Sequence, residues 1–164
     1  MGNRAVITFA PKSKVEPYYK KDGSLVVGGF VKDNPNLVGV YVHWNGGNDS
    51  IVPFCRACKE IGFRCPTYDF SYGVARFVQL VANFFGGCSD SSVGVDTLGR
   101  LDTNNYDNGV YIIGEDWEIV GREFGGHADS KLDEKDVEAF VNYLVNTQKG
   151  LDMLKERLED KEEN

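Results

Sequence analysis

The stretch LVGVYVHW (residues 37–44) decides the reading of this chain. Val38, Val40, Val42 and Trp44 alternate with Leu37, Gly39, Tyr41 and His43, so an extended chain sends the first set to one face and the second to the other. Both sets are largely apolar, and β-branched residues dominate. Such a strand belongs inside a sheet rather than at its edge. The first set, wholly apolar, is expected to pack against a buried helix. Immediately after it comes NGGNDS (45–50), a corner that reads either as an anion-binding turn or as a tight passage from strand to helix.

Outward from this strand the pattern continues. RAVITFA (4–10) is a second short strand. Ile51, Phe54, Cys55, Cys58 and Ile61 recur at helical spacing, which predicts a helix over 50–61, with Pro53 tolerated in its first turn. A second helix is expected over 72–85, apolar on most sides and closed by Gly86-Gly87. Its polar residues Arg76, Gln79 and Asn83 form one narrow stripe. Residues 88–109 read as irregular connection with a short strand near 93–97. GVYIIGEDWEIVGREF (109–124) reads as a hairpin turning at Gly114-Glu115-Asp116. The linker from 127 leads to a long amphipathic helix with Val137, Phe140, Val141, Leu144, Leu151, Leu154 and Leu158 near one face, and Gly150 is expected to interrupt it. Residues 11–36, with an Asp22-Gly23 turn signal, look like a hairpin insertion. These elements predict an α+β fold in one domain spanning 1–164: a mostly antiparallel sheet of about four to six strands, with three helices packed mainly on one face.

The charge is placed unevenly within a net charge of −7. Residues 1–36 carry six Lys/Arg against three acids, whereas residues 127–164 carry eleven acids against six bases. A net acidic surface repels a phosphate backbone, so general nucleic-acid binding is not expected. No run of about 18 apolar residues is present and no membrane span is expected. The N-terminal segment lacks the apolar core of a signal peptide, so a cytoplasmic location is expected.

The candidate chemistry is sparse. The NGG corner lacks the spacing and lysine of a phosphate loop. Asp49 or Ser50 is expected to cap the following helix, which favours the structural turn. His43 is a candidate acid or base, since histidine is an unusual choice at the end of an inner strand. Arg76 is a candidate anion clamp. Asp96, Arg100, Asp102 and Arg122 are further polar residues to which the sequence assigns no partner. Cys55-x-x-Cys58 with Cys65 and Cys88 resembles half of a zinc ribbon. However, the second pair is spaced wrongly and the first lies on an apolar helix stripe, so no metal and no cofactor are expected. The residues singled out for binding are Tyr41, His43, Trp44, Asn45, Tyr72, Arg76, Gln79 and Asn83.

Four segments in order, GNRAVITF (2–9), GVYVHWNGG (39–47), ANFFGG (82–87) and NGVYIIGEDWEIVGREF (108–124), resemble an uncharacterised family of small proteins carried by phages, prophages and other mobile elements. The resemblance implies a setting rather than a mechanism: a binding protein that engages a host protein or a defence complex such as a nuclease effector, with inhibition among the roles this allows. Two other readings stand beside it. One is a small hydrolase or nuclease-like enzyme using His43 and Arg76; the other is a module that sequesters a small molecule on the Tyr41/His43 face.

Overall fold

The computed structural model describes residues 2–87 and 92–163. It is an α+β fold built on one mixed sheet of five strands. In chain order the elements are β1 (Ala5–Phe9), α1 (Lys12–Val15), α2 (Phe30–Asp33), β2 (Val38–Val42), α3 (Asn48–Ile61), α4 (Phe70–Phe84), β3 (Val93–Thr97), β4 (Val110–Ile113), β5 (Ile119–Glu123) and α5 (Glu134–Glu163). The sheet order is β3-β2-β1-β4-β5. β1 lies in the middle, antiparallel to β2 (Ala5 opposite Val42) and parallel to β4 (Val6 opposite Val110). The other two neighbouring pairs are antiparallel.

The alternation in β1 and β4 explains the two cores. Ala5, Ile7 and Phe9 of β1, Val40 and Val42 of β2, and Tyr111 and Ile113 of β4 face α3, α4 and α5. Here Phe9, Phe77 and Trp117 meet with ring centroids 5.7–6.2 Å apart, and each such pair adds about 0.5–1.5 kcal/mol beyond its buried area. Val6, Val110 and Ile112 face the other way, onto Val15, Val27, Phe30 and Val31 from residues 11–36. The three long helices thus occupy one face, while the short α1 and α2 close the other.

Residues 11–36 contain a short hairpin-like pairing rather than two regular strands, and its outgoing limb is shared with the sheet. Asp22-Gly23 does turn the chain, with Asp22 accepting hydrogen bonds from both the backbone N–H and the hydroxyl of Ser24. One antiparallel bridge, Tyr19 to Val27, joins the limbs, with Lys20 N–H donating to Val26 C=O at 3.0 Å and Gly28 N–H to Tyr18 C=O at 3.1 Å. On its other side the outgoing limb pairs with the free edge of β5: Val27 N–H donates to Arg122 C=O at 2.8 Å and Arg122 N–H to Leu25 C=O at 3.0 Å. An unpaired sheet edge competes well for such groups, and covering it removes an aggregation hazard. Glu123, buried at the end of β5, fastens the insertion by accepting from the N–H groups of Gly29 (2.6 Å) and Val31 (2.8 Å) at the start of α2.

The long C-terminal helix also departs from expectation, because Gly150 does not interrupt it. Its apolar stripe divides into two halves. Val137, Val141, Leu144 and Val145 are buried against α3 and α4, whereas every described side chain from Lys149 to Glu162 is exposed. At 1.5 Å per residue, about 20 Å of helix runs on beyond the core.

Candidate functional site

The corner after β2 is a structural turn. Asn3 N–H donates to His43 C=O at 2.9 Å, Gly46 N–H donates to Asn3 C=O at 2.8 Å, and the buried Tyr111 hydroxyl donates to Gly46 C=O at 2.8 Å. Gly46 lies so close to β1 that a Cβ there would sit 2.5 Å from the Asn3 carbonyl oxygen and 2.8 Å from Ala5 Cβ. Asn45 takes a left-handed φ of 59° and its amide donates to Ser50 Oγ at 3.1 Å. The expected Asp49 cap is not made. α3 starts two residues earlier than its stripe indicated, Gly47 is the N-cap, and no side chain caps it. Asp49 lies instead in the first turn, where its charge favours the helix dipole and opposes any bound anion.

His43 lies just past the end of β2 and is half-buried. Its Nδ1 is 2.8 Å from the Tyr41 hydroxyl, and burial raises the pKa of that hydroxyl, keeping it protonated. Gly2 is pressed against the other nitrogen, since a Cβ on Gly2 would lie 2.8 Å from Nε2. Both ring nitrogens are therefore engaged or covered, which suits a packed histidine better than a general base. Beyond Tyr41, Arg4 is clamped to Asp107 (Nε to Oδ2, 2.7 Å) and reaches Asp102 at 3.5 Å. The Arg4 hydrogen bonds hold the Asp107 carboxyl below its ordinary pKa. Trp44 does not pack under a helix as expected. The strand ends at Val42, and the indole is 45% exposed with its ring against His43.

The structure does not bring His43 and Arg76 together. Arg76 belongs to α4, where its guanidinium stacks over Tyr72 at 4.8 Å and bonds Gln79 at 3.4 Å. Arg76 and Tyr72, with Arg64, line an open cleft of about 290 Å³. The rest of the polar stripe is consumed by packing: Gln79 and Asn83 both donate to the side-chain oxygen of Gln148 on α5, at 3.3 and 3.2 Å. Gln148 in turn donates to Asp152. The stripe is an interhelical hydrogen-bond ladder, invisible in sequence because its partner lies 65 or more residues away.

Cys55, Cys58 and Cys65 are buried in the helix-side core, and burial raises the thiol pKa values of Cys55 and Cys58. Among the described residues no cluster of three His, Cys, Asp or Glu side chains is placed to hold a metal ion. Cys88 lies outside them. Among the described residues no helix is long and apolar enough to cross a membrane.

Two features were not anticipated in the sequence. One is the ion pair between the buried Arg122 at the end of β5 and the part-exposed Asp129. The other is the exposed half of α5, where Leu151, Leu154 and Leu158 are 42–54% accessible at spacings of three and four. The heptad-like spacing was legible, but the point at which the core stops covering it was not. Compared with known proteins, the chain matches no family model, no curated protein and no solved structure.

Proposed function

We propose that this chain is a non-catalytic binding protein that docks on another protein through the exposed half of α5. The observation that carries this reading is the unpartnered Leu151/Leu154/Leu158 stripe on a helix anchored only at its other end. Free helices of this length are marginal in water, and here the buried half supplies the nucleus. Burying three half-exposed leucines would return roughly 1 kcal/mol each. Six acids and three bases occupy residues 152–163, so the partner this helix fits is one with an apolar groove rimmed by basic residues. The basic rim suits a nuclease-type effector, and the description accords with the setting of a mobile-element accessory factor that engages a host or defence protein. The covered nitrogens of His43 and its separation from Arg76 weigh against the hydrolase reading.

The test uses two variants, Leu151/Leu154/Leu158→Ser and Glu156/Glu159/Asp160→Lys. Both are expected to keep the melting temperature of the core. The serine variant is expected to abolish capture of a stoichiometric bacterial partner, and the lysine variant to slow its association in a salt-dependent way. Retained capture by both variants would place the interface elsewhere.

A further inference from the structure

Arg122 is a deeply buried charge. Its side chain is only 5% exposed, with the guanidinium 3.7 Å from the centroid of the Tyr111 ring. Nη2 donates to Asn108 C=O at 2.8 Å, Nη1 is paired with Asp129, and the buried Nε has no hydrogen-bond partner. Asp129 comes from the connection between β5 and α5, is 32% exposed, and stands over Arg122 from the solvent side. The backbone in front is laid directly on the arginine. Phe124 (φ 58°) and Gly126 (φ 96°) take left-handed conformations, and a Cβ on Gly126 would lie 3.0 Å from Arg122 Cβ.

Two cavities flank this ion pair, and Arg122 and Asp129 line both. One, of about 150 Å³, has Asp107, Asn108 and His127 in its lining. The other, of about 300 Å³, has an apolar wall of Leu25, Val26, Val52 and Ile119. Arg122, Gly126 and Asp129 are common to both linings, and the Asp129 carboxylate occupies the Nη1 side of the stacked guanidinium.

We propose that Arg122 is the anion seat of a small-ligand site that Asp129 holds closed from within the chain, and that its ligand is a small monocarboxylic acid with an apolar body. Asp129 shows that the seat accepts a carboxylate, which matches the planar guanidinium fork. The apolar wall would take the body of the acid. Buried guanidinium groups lose much when left unpaired, so an incoming carboxylate exchanges for the internal one at little net electrostatic cost. Asp129 is then a gate: ligand binding frees the 124–130 connection that leads into α5. This site is separate from the docking helix, and either assignment stands without the other.

The experiment titrates benzoate and acetate into the wild-type chain, Asp129→Ala, Asp129→Asn and Val52→Phe, reading binding by calorimetry and the melting temperature. Removing the internal competitor is expected to tighten benzoate about tenfold, as for a wild-type seat open about a tenth of the time. Benzoate should also restore, saturably, the melting temperature that either Asp129 substitution lowers. Acetate should do so more weakly. Val52→Phe narrows the apolar cavity and should weaken benzoate while sparing acetate. If the Asp129 variants fold only with benzoate present, the seat is likewise supported. The proposal is overturned if neither variant binds benzoate, if neither can be folded by it, if Val52→Phe weakens both acids alike, or if chloride and sulfate at equal ionic strength stabilise equally well.

Discussion

Replacing Gln148 by leucine separates a packing role from a binding role for the polar stripe of α4. Gln148 is 7% exposed and accepts from Gln79 (3.3 Å) and Asn83 (3.2 Å) while donating to Asp152 (3.0 Å). Leucine would remove all three bonds and leave two half-buried amide donors facing a methyl group. Each lost bond costs about 0.5–1.5 kcal/mol net, and an unsatisfied buried donor costs about 1–3 kcal/mol. Gln79 and Asn83 can turn partly toward water, and the leucine regains about 1 kcal/mol of apolar burial. The expected net loss is about 1–2 kcal/mol, or roughly 3–6 °C in melting temperature for a chain of this length. Differential scanning calorimetry measures it directly. An unchanged or raised melting temperature would refute the ladder. A loss of partner binding at unchanged stability would instead return the stripe to the list of functional surfaces.

Three further outcomes are expected. Arg4 holds the folded-state pKa of Asp107 below its unfolded value, so the stabilisation is present above about pH 4 and is lost as pH falls through the lowered value; Asp107→Asn should be less stable at neutral pH and show a flatter acid limb in thermal melts. Gly150→Ala should raise helical ellipticity without destabilising the fold, because a Cβ there meets nothing within 4 Å and alanine favours a helix by about 1 kcal/mol over glycine; a lowered ellipticity would mean the helix bends at 150. Burial raises the pKa values of Cys55 and Cys58, so mass spectrometry after iodoacetamide at pH 8 should find them unmodified in the native protein and modified in denaturant. Alkylation of the folded chain at either position would contradict their place in the core.

Local signals carried much of the architecture. The alternation of 37–44 and the apolar stripes of 51–61 and 72–85 each report a face that a single element buries, so the α+β class and the helix-covered sheet could be read directly. What could not be read depended on distant partners. That Leu25–Val27 pairs with β5 as well as with the Tyr19 limb depends on the free edge of β5, about a hundred residues away in sequence. The stripe of α5 looks continuous from Val137 to Leu158 because periodicity records apolarity and cannot tell where the core ends. His43 attracted notice by its residue type, yet its surroundings are set by Gly2 and Tyr41. Arg122 had no apparent partner until the fold brought Asp129, Asn108 and Tyr111 around it.

The most direct test of docking through α5 is in-cell photo-crosslinking with a benzophenone amino acid at Leu154, and at Tyr68 as an exposed control on the body of the fold. The account predicts one discrete heteromeric adduct from position 154, lost when Leu151 and Leu158 are changed to serine, and none from position 68. An adduct only with a second copy of the chain, or equal adducts from both positions, would contradict it.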